Sequence, residues 1–165
     1  MPDKELHDAA RALLDLCIKK KLTLATAESC TGGMVAAALT EIAGSSAVVE
    51  RGFVTYSNKA KQQMLGVPPT TLNKYGAVSR ETAEAMAKGA LAHAPVDLAV
   101  SITGIAGPGG GSADKPVGLV HFAAGSRGGR LIHHEHKFGD IGREQVRRLS
   151  VLQALAMLRE LAEKK

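Results

Sequence analysis

Aromatic side chains are scarce in this 165-residue chain: they make up 3 % of it, and tryptophan is absent. Surfaces that bind single-stranded nucleic acid stack bases on exposed rings, so the shortage argues against a nucleic-acid partner. The net charge of +5 is modest and spread along the chain. It suits anionic small molecules but is too diffuse for a nucleic-acid footprint. Cysteine is also sparse. Cys17 and Cys30 form no CxxC pair and leave no further thiol for a metal knuckle. No run of residues reaches transmembrane length, and the first residues, Met-Pro-Asp-Lys-Glu-Leu-His, lack an apolar signal core. The expectation is a protein with no membrane partner in the reducing cytoplasm. Internal repeats and linkers are missing too, so residues 1–165 read as one domain with a single core.

What is present is an alternation of helical and extended patterns. Leu6, Ala10, Leu13, Leu14, Cys17 and Ile18 recur at helical spacing, predicting a helix over 4–20 that Asp3 caps. Strands are expected at 22–26 and 48–56, with a helix over 32–43 between them that stops near Gly44. Helices follow at 59–65, 69–74 and 80–93, the last capped at Ser79. The apolar run Leu98–Thr103 has the character of a buried strand. It opens into the glycine-rich loop 104–115, then two strands (117–125 and 130–138) and a final helix from Asp140 to about residue 162. The order implies a three-layer α/β/α sandwich with a mixed β-sheet.

Six segments carry possible chemistry. Glu28-Ser29-Cys30-Thr31-Gly32-Gly33 delivers hydroxyls and glycines from a strand to a helix N-terminus. Free N–H groups and the helix dipole make such a turn an anion cradle, and glycine allows close backbone approach. Ser29 as a nucleophile is the alternative, but Ala27 and Thr31 stand where a G-x-S-x-G elbow needs glycine. The bland reading is a capped turn over a buried Cys30. Gly44-Ser45-Ser46 is a second serine turn, read by itself as a helix C-cap and loop. With Asn58 as N-cap, Lys61 stands at the third helical position, where the dipole disfavours a protonated amine. Partial burial lowers its pKa further, and a neutral amine can deprotonate a serine. The 104–115 loop has no GK[ST] and no helix behind it, so it is neither a Walker loop nor a dinucleotide fingerprint. After a buried strand it can still lie against a ligand. His133-His134-Glu135-His136 places His134 and His136 on one strand face, but no further ligand cluster accompanies them; a solvated strand end is favoured over a metal site. Arg143, Arg147 and Arg148 fall in the first turns of the last helix, where an arginine can clamp a phosphate.

Ala27–Gly33, Gly44–Ser46, Gly52–Asn58, Gly76–Ser79, Thr103–Pro108 and Lys115–Gly118, in this order, closely resemble the CinA carboxy-terminal domain family over nearly the whole chain. The resemblance implies an α/β/α sandwich. It also implies an enzyme that hydrolyses the carboxamide of nicotinamide mononucleotide to nicotinate mononucleotide and ammonia, in pyridine nucleotide salvage, without metal or other cofactor. Carried over by position, it implies Ser46 as nucleophile, Lys61 as its base and Tyr56 beside them as a proton relay. Ser29, Thr103 and Arg143 would hold substrate. On this reading the substrate phosphate sits at Thr31, Gly32 and Gly33, and backbone N–H groups near Gly44–Ser46 or Gly104 hold the oxyanion. A homo-oligomer is expected. The competing class is a non-catalytic nucleotide-binding module, a partner in competence or DNA damage, for which the same glycine-rich loops would serve.

Overall fold

The computed structural model describes residues 3–165. In chain order the elements are α1 (Lys4–Lys20), β1 (Leu24–Glu28), α2 (Met34–Thr40), β2 (Val49–Val54), α3 (Asn58–Leu65), α4 (Pro69–Tyr75), α5 (Arg80–His93), β3 (Leu98–Gly104), β4 (Leu119–Ser126), β5 (Leu131–Lys137) and α6 (Arg143–Glu163). A single 3-10 turn, Ser45–Ala47, precedes β2. Asp3 caps α1 by accepting from the Leu6 N–H at 3.2 Å, and Ala10, Leu13, Leu14 and Cys17 form the helix's buried stripe.

The strands pair in the order β2-β1-β3-β4-β5. β2, β1 and β3 run parallel, while β4 and β5 complete an antiparallel meander. β1 is buried at every position and β3 at all but its last, as central strands covered on both faces must be. Leu24 of β1 packs with Leu13 of α1 and Leu158 of α6. Ala27 packs on the opposite face with Leu65 of α3 and Met86 of α5. Strand alternation thus splits β1 between two helix layers, α1, α2 and α6 on one side and α3 to α5 on the other, and the expected sandwich is the observed fold.

The differences from expectation are local. β1 lies two residues later than 22–26, because Leu22 closes the turn after α1 by donating its N–H to Cys17. Ser57 caps α3 in place of Asn58, its hydroxyl accepting from the Ala60 N–H at 3.0 Å. Lys61 is therefore the fourth helical residue. α6 starts at Arg143, after Gly142 at a positive φ of 98°. What matters for function is the parallel trio. β1, β2 and β3 all end at one sheet edge, and the chain leaves β1 toward α2 and β2 toward α3, in opposite layers; such an edge is the usual place for a ligand in an open α/β sheet.

Candidate active site

At that edge lies a cleft of about 270 Å³. Ser29 enters it from the end of β1, Tyr56 and Lys61 from the segment after β2 and the start of α3, Thr103 and Gly104 from the end of β3, and Arg143 from the start of α6. Six of the ten residues expected to act thus come together from four separated stretches of chain.

The centre of the cleft is a buried amine. Lys61 is 1 % exposed. Its Nζ stands 3.0 Å from Ser29 Oγ, 3.1 Å from the Thr55 carbonyl oxygen and 3.4 Å from the Tyr56 carbonyl oxygen. No carboxylate pairs with it among the described residues. Burial without a counter-charge drives its pKa below the usual 10.5. A neutral amine has two hydrogens and one lone pair. Two hydrogens match two carbonyls, and the lone pair is left for the Ser29 hydroxyl. Ser29 reaches this position because it continues the parity of Ala27, toward the α3 layer, one residue beyond the strand. Its neighbour Cys30 is buried, which pushes the thiol up to about 12 and keeps it protonated at neutral pH.

The helix N-terminus beside Ser29 is already filled. Glu28, 0 % exposed, turns to the α2 layer, opposite Ser29. One carboxylate oxygen accepts from Thr31 Oγ1 at 2.6 Å and the Val35 N–H at 2.9 Å, and the other accepts from the Ala36 N–H at 3.1 Å. The anion in this cradle is the protein's own. Thr31, Gly32 and Gly33, expected to hold a substrate phosphate, are accordingly not at the cleft wall. Gly33 serves the backbone instead, opening α2 at φ 104°, a conformation costly for other residues.

Ser46, expected as the nucleophile, does not line the cleft either. It sits exposed in the 3-10 turn before β2, at the sheet's amino edge, whereas Lys61 binds the carbonyls just after β2 ends. The six residues of β2, spanning about 20 Å at ~3.3 Å per residue, lie between them. Gly44–Ser46 cannot supply oxyanion donors to the cleft for the same reason. The Tyr56 relay changes as well. Lys61 meets Tyr56 through its backbone carbonyl, while the phenol oxygen accepts from Arg143 Nη2 at 2.9 Å. Arg143 Nη1 donates to the Gly107 carbonyl, also at 2.9 Å, so this arginine bridges both rims of the cleft. Thr103 lines the cleft but donates its hydroxyl to the Ala77 carbonyl at 2.7 Å. Gly104 is required as such: a Cβ there would stand 2.7 Å from Val120 Cγ2.

Sequence reasoning missed the Glu28 contacts and the clamp of Arg147 on the Cys30 carbonyl at 3.1 Å, whereas the glycine-rich 104–115 loop does line the cleft, with Gly107, Gly109 and Gly110. His134 and His136 do share a face, but His134 stacks on His136 and His136 in turn on Phe138. No group of three His, Cys, Asp or Glu among the described residues is placed to hold a metal ion. None of the described helices is long and apolar enough to cross a membrane.

The family model of the CinA C-terminal domain matches residues 6–162. The chain belongs to the CinA C-terminal domain family. Within it, the chain is 52 % identical to the nicotinamide-nucleotide amidohydrolase PncC of Escherichia coli strain K12, over 96 % of this chain and 95 % of that one. It is 50 % identical to the PncC of Enterobacter agglomerans, over 89 % of each. Among solved structures, the competence/damage inducible protein CihA of Agrobacterium tumefaciens superimposes with a TM-score of 0.95 at 56 % identity, covering 98 % of this chain and 97 % of that one. The residues matched by the family model include the whole cleft, from Ser29 to Arg143.

Proposed function

We propose that this protein is a cytoplasmic nicotinamide-nucleotide amidohydrolase in pyridine nucleotide salvage, with Ser29 as nucleophile and Lys61 as its base. The observation that carries the reading is the 3.0 Å contact between a buried, uncompensated lysine amine and a serine hydroxyl in an open cleft. A binding module has no use for a buried amine with its pKa lowered; a Ser–Lys hydrolase depends on one. The names of the PncC relatives supply the substrate class.

Neutral Lys61 takes the proton from Ser29 Oγ as that oxygen bonds to the carboxamide carbon. The tetrahedral adduct collapses by breaking its C–N bond, and the Lys61 ammonium returns the proton to the leaving nitrogen, releasing ammonia. Water then attacks the nicotinoyl ester, Lys61 again accepting a proton and handing it to Ser29 as the C–O bond breaks. Two backbone donors suit the oxyanion. The Cys30 N–H, next to the nucleophile, donates to no backbone carbonyl among the described residues. Ile105 donates to Leu119 across the β3–β4 ladder, so the alternate Gly104 N–H turns away from β4, toward the end of β1. One such donor is worth about 10²–10³ in rate. With the α2 cradle closed, Arg143 at the cleft mouth is the group for the nucleotide phosphate.

Ammonia release by the purified protein tests the substrate class. Nicotinamide mononucleotide is expected to be hydrolysed, with activity retained in excess chelator, and the nucleoside lacking the phosphate to be a much poorer substrate. Absence of ammonia release from the mononucleotide would overturn the reading.

A further inference from the structure

The cleft accounts for Lys61 and Ser29 but not for Glu28, a carboxylate with no exposed surface and no cationic partner among the described residues. Such a group is costly to bury unless its lone pairs are met. Here three donors meet them. The N-cap of α2, Gly33, has no side chain to offer. Glu28 takes over that work, satisfying the N–H groups of the second and third helical residues from outside the helix.

Its second consequence falls on the nucleophile. Glu28 is the residue before Ser29. Its side chain is fixed to α2, and its carbonyl accepts from the Thr55 N–H at 2.8 Å. Ser29 N–H donates to the Ile102 carbonyl at 2.9 Å, and the Ser29 carbonyl closes the turn by accepting from Gly32 at 3.0 Å. Thr55 is also the residue whose carbonyl holds Lys61. The backbone that aims Ser29 and the backbone that aims Lys61 are therefore joined at Glu28.

We infer that Glu28 is a positioning residue of the reaction: its carboxylate, seated on the first turn of α2, holds Ser29 Oγ at attacking distance from Lys61. It touches neither substrate nor the reacting atoms. This rests on the assignment of Ser29 as nucleophile. Glu28→Gln keeps the shape but turns an N–H₂ toward one of the donors now satisfied by an oxygen. Displacing a reacting group by about 1 Å can cost 10²-fold.

The test measures steady-state kinetics on nicotinamide mononucleotide and, independently of that substrate, the rate at which a small sulfonyl fluoride labels Ser29, read by peptide mass. In folded Glu28→Gln, kcat should fall by roughly 10²-fold with KM within about 2-fold, and the labelling rate should fall in parallel. Thr31→Val, which removes one of the three donors, should give a smaller fall with the same split. A folded Glu28→Gln with unchanged kcat and labelling would overturn the inference. So would a rise in KM at unchanged kcat, because it would mean that α2 meets substrate directly. Should Glu28→Gln not fold, Thr31→Val decides on the same criteria. If wild type labels at Ser29 but releases no ammonia, the substrate reading fails, and the labelling rates of the two variants alone decide the role of Glu28.

Discussion

Two serine turns of similar composition, Ser29 before Gly32-Gly33 and Ser46 after Gly44, stand at opposite edges of one sheet. The first follows a parallel strand and is pinned by hydrogen bonds on both sides, with its hydroxyl against a buried amine. The second precedes a parallel strand and is exposed, in a 3-10 turn. The difference teaches that glycine and serine in a turn say little about reactivity. What sets it is which end of a strand the turn occupies, because only the carboxyl edge gathers the ends of β1, β2 and β3.

The comparison breaks most easily at its reactive end. Ser29→Ala should lower kcat for ammonia release by at least roughly 10³-fold, the scale seen when a nucleophile is removed from a catalytic unit, in a protein whose melting temperature is little changed. Lys61→Met should match that loss. It should also leave the protein as stable or more so, since it replaces a buried amine with an apolar chain of similar length. The pH dependence carries a sign. Only the neutral amine is a base, so kcat/KM should rise with pH through the lowered Lys61 pKa. In the folded state that pKa is below its unfolded value of 10.5, so the unfolded chain binds more protons between the two values and stability rises with pH across that window. Lys61→Met should flatten that part of a melting-temperature profile. Arg143→Ala should raise KM for the mononucleotide by about 10-fold or more, the worth of a charge-assisted hydrogen bond, with a smaller change in kcat. The smallest effect belongs to the other edge: Ser46→Ala should leave both constants within about 2-fold, as surface substitutions away from special features usually do.

Much of this was legible in the sequence. Periodicity located all six helices to within a few residues, and the buried character of Leu98–Thr103 marked a central strand. Lys61 was picked out by a local conflict, a lysine in the first turn of a helix, and the structure resolves that conflict by burial. The partner of Lys61 was harder to read, because residue spacing does not say which sheet edge a turn occupies. Strand order does: in a parallel pair, Ser29 after β1 and Lys61 after β2 share an edge, and Ser46 before β2 cannot. The occupant of the cradle was hidden for a different reason. An anion site was inferred at the start of α2, and its occupant was the residue before Ser29. Alternation along β1 sends Glu28 to the α2 side and Ser29 to the α3 side, a parity visible once the strand is placed at Leu24–Glu28 rather than two residues earlier.

The central claim is that chemistry belongs to the Ser29 turn and not to the Ser46 turn. It is met most directly by measuring ammonia release from nicotinamide mononucleotide for Ser29→Ala and Ser46→Ala side by side, at saturating substrate and with both proteins folded. The expected result is a Ser29→Ala protein near background and a Ser46→Ala protein at the wild-type rate. An active Ser29→Ala with an inactive Ser46→Ala would contradict it.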